Sequence, residues 1–120
     1  MAEHNELGKL GEEIAFDYLL SKGYRIMFRN WRFAKDEIDI IAKDGEELVI
    51  VEVKTRSTDY FGGPETFVTK KKQGFLIRAA DNFVQKYSID FEVRFDVISI
   101  IINENEENIQ HIEDAFGPCF

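Results

Sequence analysis

From residue 6 to residue 22 apolar or small positions recur at threes and fours: Leu7, Leu10, Gly11, Ile14, Ala15, Tyr18 and Leu19. That period places them on one face of a helix. Asn5 suits the N-cap, and Gly23 stops the helix after Lys22. From Tyr24 to Phe33 the pattern changes to partial alternation, which predicts a strand with a turn near Ala34-Lys35-Asp36. Two dense apolar runs follow, Glu37-Ile38-Asp39-Ile40-Ile41 and Leu48-Val49-Ile50-Val51-Glu52-Val53-Lys54, predicting strands over 37–43 and 46–54. Residues 55–68 contain Thr55, Arg56, Ser57, Thr58 and Asp59, then Gly62-Gly63-Pro64. They read as a loop long enough to act as a flap. Thr69 suits the cap of a second helix running to Tyr87, with Phe75, Leu76, Ala79, Ala80, Phe83 and Val84 as its apolar face. Phe91 to Ile102 predicts a long strand, Asn103 to Asn108 an acidic turn, and residues 109–112 a short last strand. Helices and strands interleave. The class is α/β, a mixed β-sheet flanked by α-helices.

Three charges interrupt the central apolar runs: Asp39, Glu52 and Lys54. Charges seldom sit in buried strands unless they are paired or bind a metal. Asp44-Gly45 between the runs is a strong hairpin signal. With that pair as the turn, Lys43 faces Glu46 and Asp39 faces Ile50. Asp39, Glu52 and Lys54 then share one face, because faces repeat every second residue. Asp39 and Glu52 become diagonal neighbours, about 7–8 Å apart at the backbone.

Bulk composition narrows the class. With 120 residues, 44% of them hydrophobic and 11 of them Phe, the chain can fill the core of one domain spanning 1–120. It has only 2 Pro, no low-complexity tract and no internal repeat. The polar, acidic start has no signal-peptide pattern, and no apolar run approaches a membrane span. The single cysteine, Cys119, cannot form an internal disulfide, which fits a cytoplasmic location. The net charge of −8 argues against a protein that coats nucleic acid generically. The charge is uneven, however. Residues 54–86 carry 7 basic and 3 acidic groups, or +4, directly after Glu52. Such a surface suits a phosphate-bearing substrate, or is simply a solvated helix face.

Two carboxylates on one strand face offer hard oxygen ligands to Mg²⁺ or Mn²⁺. Such an ion activates water and polarises a phosphoryl oxygen, and Lys54 supplies a cation for developing charge. Hydrolysis of a phosphodiester fits these parts. The alternative is structural: Lys54 pairs with Glu52 or Asp39, and no ion is held. Arg29, Trp31, Arg32 and Phe33 mix cations with aromatics and fit either base stacking or, better, a packed Trp31 with solvated arginines. Lys70, Lys71 and Lys72 open the second helix against its dipole, which fits phosphate contact and plain exposure equally. Arg56 is the basic residue best placed to meet a phosphate. His4 and His111 stand isolated and carry no assigned role.

The chain resembles the YraN-like family, uncharacterised bacterial proteins with a predicted endonuclease fold. The matching stretches are Gly8-Lys9-Leu10-Gly11-Glu12-Glu13-Ile14-Ala15, Gly23-Tyr24, Arg29-Asn30-Trp31-Arg32, Glu37-Ile38-Asp39-Ile40-Ile41, Val51-Glu52-Val53-Lys54-Thr55-Arg56, Lys72-Gln73, Arg94-Phe95-Asp96-Val97 and Ala115-Phe116. Through that family it is similar to the PD-(D/E)XK nuclease superfamily and, within it, to archaeal Holliday junction resolvases. The resemblance implies a restriction-endonuclease-like core and a catalytic set of Asp39, Glu52 and Lys54. It also implies that Glu12, on the first helix, completes the metal site formed by Asp39, Glu52 and the carbonyl of Val53. DNA contacts would come from Arg56, Lys70, Lys71, Lys72 and Gln73. Two positions depart from the family. Asp36 stands where glycine is usual and adds negative charge near the site. Gly74 stands where arginine is frequent and removes a phosphate contact.

The expectation is therefore a Mg²⁺- or Mn²⁺-dependent endonuclease acting on DNA, branched DNA included, with a homodimer possible and no membrane partner. The alternative is a non-catalytic nucleic-acid-binding or protein-interaction domain that keeps the fold. Intact Asp39, Glu52 and Lys54 favour the first, and the net acidity favours the last.

Overall fold

The computed structural model describes residues 2–58 and 68–118. The elements are α1 (Ala2–Ser21), β1 (Arg25–Phe33), β2 (Asp36–Asp44), β3 (Glu47–Arg56), α2 (Lys70–Lys86), β4 (Glu92–Ile102) and β5 (Glu107–Phe116). α1 starts at Ala2, so Asn5 lies inside the helix and is not its cap. Its end is as expected. Gly23 adopts φ +88°, and Tyr24 N–H bonds back to the Leu19 carbonyl at 3.0 Å. This closes the helix with a left-handed glycine that other residues adopt only under strain. Thr69 caps α2, accepting from the Lys72 N–H at 3.1 Å.

The five strands form one sheet in the order β1-β2-β3-β4-β5. β1, β2 and β3 make an antiparallel meander, and α2 carries the chain over to β4, which runs parallel to β3. β5 closes the edge antiparallel to β4 and, at ten residues, is much longer than the segment 109–112. The sheet is mixed and flanked by the two helices, as the sequence pattern implies.

Each sheet face buries its own core. Leu76, Ala79, Ala80 and Phe83 of α2 pack on Ile41, Leu48, Ile50, Phe95 and Val97. Ala15 and Leu19 of α1 pack with Ile40, Ala42, Val49, Val51, Ile98 and Ile100. Adjacent β3 residues thus go to opposite cores, which is why the run 48–51 is apolar without alternation. Leu10 departs from the expected stripe and is 49% exposed. Its neighbour Gly11 is buried instead, and a Cβ there would collide with the Thr55 side chain. α1 therefore lies against the end of β3 because residue 11 has no side chain. Among the described residues, no helix is long and apolar enough to cross a membrane.

At the far end of the sheet Arg94 is a buried hub. It bonds Asp96 through Nε and Nη2 at 2.9 and 3.0 Å, Glu47 at 3.0 Å, Asp44 at 3.2 Å and the Tyr24 hydroxyl at 2.6 Å. His111 Nε2 lies 2.7 Å from Asp96, and its Nδ1 meets the Tyr18 hydroxyl at 3.1 Å. His111, which looks isolated in the sequence, thus belongs to a brace joining α1, β4 and β5. Glu47 in this brace is five residues from Glu52, about 16 Å along the strand.

Candidate active site

The hairpin turn is Gly45-Glu46, one residue later than Asp44-Gly45, with Gly45 at φ +60°. Cα pairing runs from Asp44↔Glu47 to Ile40↔Val51. One further step along this register sets Asp39 directly opposite Glu52. The expected diagonal relation is corrected to a closer one. The shift is by two residues, so the shared face survives.

Beyond Ile40↔Val51 a side chain replaces the strand ladder. Val53 N–H donates to Asp39 Oδ2 at 2.8 Å. The neighbouring strand is distorted at the same level. Asn30, between the pairs Arg29↔Ile40 and Trp31↔Ile38, adopts φ +51°. Asparagine is one of the few side chains that enter this region readily. Its amide donates to Glu12 Oε1 at 2.9 Å, holding the α1 carboxylate at this end of the sheet.

Glu52 is only 3% exposed, and two lysines approach it. Lys54 Nζ is 3.6 Å from its Oε2, and Lys72 Nζ, from the first turn of α2, is 3.8 Å from the same oxygen. Lys72 also donates to Asp36 Oδ2 at 2.8 Å. Asp36 therefore brings its negative charge to the site as expected, and Lys72 answers it.

Burial raises the Asp39 carboxyl well above the usual carboxylate range, and the charge of Glu52 and a hydrogen bond with it raise it further. The Val53 N–H and Lys72 oppose this without reversing it. Two acids side by side in a poorly solvated site favour keeping one proton. Burial likewise raises Glu12, the Asn30 amide opposes, and the charges of Asp39 and Glu37 add to the rise. For Lys72 burial acts downward, but Asp36, Glu52 and Asp39 outweigh it and hold the ammonium above its ordinary value. For Asp36 burial acts upward, but the hydrogen bonds from Lys72 and the Glu37 N–H prevail and its pKa is lowered.

The structure thus gathers Asp39, Glu52, Lys54 and Lys72, with Glu12 in electrostatic reach. Among the described residues, no group of three or more His, Cys, Asp or Glu side chains is placed to hold one ion together. Lys70 and Lys71 are exposed on the first turn of α2. Gln73 is occupied, donating to the Val68 carbonyl at 3.1 Å. Arg56 is partly buried on the strand face of Glu52 and Lys54, beside Ile101 of β4. Arg29 pairs with Glu13 and lies over the Phe16 ring, while Trp31 packs on Phe33 and Phe83. The packing reading holds for Trp31, whereas Arg29, expected to be solvated, is paired with Glu13. Residues 59–67, the core of the expected flap, and Cys119 lie outside the described residues.

Two features escape the linear reading. Lys72 is a partner of Glu52 as well as one of three lysines. The signal was available: it precedes Phe75 and Leu76 by three and four residues, which puts it on the inward face. Asn30 as the holder of Glu12 has no such signal, since it depends on a backbone distortion within β1.

The model of the uncharacterised protein family UPF0102 matches residues 11–100. The chain belongs to UPF0102. It is 53% identical over 116 residues to a UPF0102 protein of Christiangramia forsetii, covering 97% of this chain and 98% of that one. It is 49% identical over 118 residues to a UPF0102 protein of Phocaeicola vulgatus, covering 98% of each. Among solved structures it is similar to Pyrococcus furiosus SfsA in complex with Ca²⁺, at 16% identity and a TM-score of 0.39. That match covers 92% of this chain and 63% of SfsA, so the chain spans less than two thirds of that protein. Glu12, Asp39, Glu52, Lys54 and Lys72 all lie in the region matched by the UPF0102 model.

Proposed function

We propose that this UPF0102 protein is a metal-dependent DNA endonuclease of the PD-(D/E)XK type, hydrolysing phosphodiester bonds, with branched DNA among the substrates to test. The observation that carries the reading is the direct apposition of Asp39 and Glu52 with Lys54 beside them. Their oxygens are hard donors of the kind Mg²⁺ and Mn²⁺ prefer. Burial first, and the charge of Glu52 second, raise the pKa of Asp39, and a divalent cation would relieve the repulsion between the two carboxylates. Mg²⁺ keeps several waters, so Asp39, Glu52 and the Val53 carbonyl are a sufficient protein set, with Glu12 acting on it from α1.

When bound, the ion would lower the pKa of a water and polarise a phosphoryl oxygen. The chain's own residues do the rest. The Val53 N–H fixes the orientation of Asp39. Asn30 fixes Glu12. Lys54 would place a cation where negative charge builds up during attack on phosphorus, while Lys72 holds Asp36 and Glu52 in place beside it. Resolvase-like action on a two-fold junction calls for a homodimer.

One observation favours a second reading, a non-catalytic nucleic-acid-binding or protein-interaction domain. Glu52 already has two lysines within 3.8 Å, which suffices for a structural ion pair. A cleavage assay on linear, nicked and four-way DNA, with and without Mg²⁺ or Mn²⁺, separates the two. Metal-dependent cutting that disappears in Asp39→Asn supports the nuclease. Absence of cutting on every substrate favours the second reading.

A further inference from the structure

Beside the carboxylate pair, the β1–β2 turn and the first turns of α2 flank an open cleft of about 560 Å³ lined by Lys35, Asp36, Lys71, Lys72, Phe75 and Arg78 among others. Its volume lies within the roughly 300–1,000 Å³ usual for small-ligand sites. Lys72 forms the shared wall, reaching Asp36 in the cleft and Glu52 in the candidate active site. Four cations thus line the cleft against one carboxylate, and Lys72 already pairs with that carboxylate. Lys35, Lys71 and Arg78 make no ion pair among the described residues. This local excess of positive charge stands on a chain of net charge −8.

Gly74 accounts for the place of Arg78. A Cβ at position 74 would stand 3.3 Å from Arg78 Nη1. Helical side chains lean toward the N-terminus, so Arg78 reaches back one turn across the bare backbone of Gly74. The helix gives up propensity at position 74. In return a guanidinium lies toward the end of α2 where the dipole disfavours cations and attracts anions.

We infer that this cleft holds the DNA phosphodiester adjacent to the scissile one, through Arg78 and Lys71 from α2 and Lys35 from the turn. Arg78 is the principal contact, because its planar fork matches two phosphate oxygens at once. The term scissile rests on the nuclease reading, but the affinity of the cleft for a DNA backbone does not.

The test is DNA binding by the whole chain in EDTA, where metal-dependent cutting does not interfere. Binding is read by fluorescence anisotropy on labelled duplex and four-way DNA over a range of salt. Arg78→Gln should weaken binding about five- to tenfold and flatten the slope of log K against log salt by about 0.9. Lys86→Gln removes the same charge from the far end of α2 and should change both much less. Gly74→Arg combined with Arg78→Gln puts a guanidinium back from the vacated position and should recover at least half of the loss. Arg78 is exposed, so the melting temperature of Arg78→Gln should stay at the wild-type value and serves as the folding control. Unchanged affinity and slope in Arg78→Gln, an equal loss in Lys86→Gln, or no DNA binding by wild type would each overturn the inference. Arg78-dependent binding without cleavage keeps the cleft and removes the nuclease. Cleavage by wild type with no effect of Arg78→Gln on binding does the reverse.

Discussion

Asp39 and Glu52 interact just past Ile40↔Val51, the last pair of the β2–β3 ladder, and Asp39 accepts a backbone hydrogen bond from Val53, the residue after Glu52. Desolvation and the facing carboxylate raise the pKa of Asp39 in the folded chain above its unfolded value near 3.9. Between those two values the folded state binds more protons than the unfolded state. Stability from this group is therefore complete below the unfolded pKa and is lost as pH rises through the folded one. Asp39→Asn keeps an acceptor for the Val53 N–H and cannot ionise. Without metal it should be more stable than wild type at pH 7, and the difference should shrink toward pH 4. Urea unfolding in EDTA at both pH values checks this. Equal or lower stability at pH 7 would mean that the pair is not strained. The same variant should show no Mg²⁺ or Mn²⁺ binding by calorimetry.

Asp36 holds Lys72 at 2.8 Å, at the cost of a negative charge in a cleft that otherwise attracts phosphate. Asp36→Asn should strengthen DNA binding a few-fold, because Lys72 is released and the carboxylate charge is gone. Asp36 is about half exposed, so stability should change by less than about 1 kcal/mol. Anisotropy titrations together with thermal melts decide it. Weaker binding would show that Asp36 positions Lys72 for DNA.

The faces and partners of these residues were legible to different degrees. Period and capping are local properties, so α2 with its Thr69 cap and the positions of β1 to β4 can be read directly from the chain, whereas the order in which the strands pair cannot. The shared face of Asp39, Glu52 and Lys54 is also legible, because parity survives a two-residue shift in register. The register itself is not, since Asp44-Gly45 and Gly45-Glu46 are both acceptable turns and the choice is made by pairing along whole strands. Burial of Gly11 with exposure of Leu10 depends on how closely α1 meets Thr55, a tertiary fact. The ion-pair brace of Arg94, Asp96 and His111 joins residues from two strands and several partners beyond them, and nothing in the local pattern of Arg94-Phe95-Asp96 separates a brace from a binding motif.

That brace yields a prediction about stability alone. Asp96 is fully buried, and its pKa is lowered because His111, Arg94 and the Asp114 N–H together outweigh the upward pull of burial. Arg94→Met should cost about 3–5 kcal/mol, because it leaves the buried carboxylate without its main counter-charge. Adding Asp96→Asn should recover part of that loss. In wild type the contribution of Asp96 is present above its unfolded pKa and is lost as pH falls through the lower folded value. Chemical denaturation of the single and double variants tests the first point, and acid titration of wild type tests the second. The brace lies about 16 Å along β3 from Glu52, so any cleavage should be unchanged per folded molecule.

Lys54 distinguishes chemistry from packing. Its side chain is 39% exposed, and Lys72 remains 3.8 Å from Glu52 when Lys54 is shortened or neutralised. Glu52 is therefore not left alone in Lys54→Met, and the loss of stability should stay below about 1 kcal/mol. Metal and DNA binding should likewise persist within a few-fold. A cation that acts on charge developing during the reaction contributes to the transition state more than to the ground state. Turnover in Lys54→Met should fall by about 10²–10³-fold, the usual effect of removing one such group. Lys72→Met should instead lower stability and DNA affinity together, since Lys72 bridges Glu52, Asp36 and the cleft. Rates, binding and melting temperature measured on both variants give two distinct patterns. A wild type that cuts no linear, nicked, flapped or four-way DNA in Mg²⁺ or Mn²⁺, with a Lys54→Met variant that only melts lower, would leave Lys54 as a structural partner of Glu52 and remove the nuclease reading.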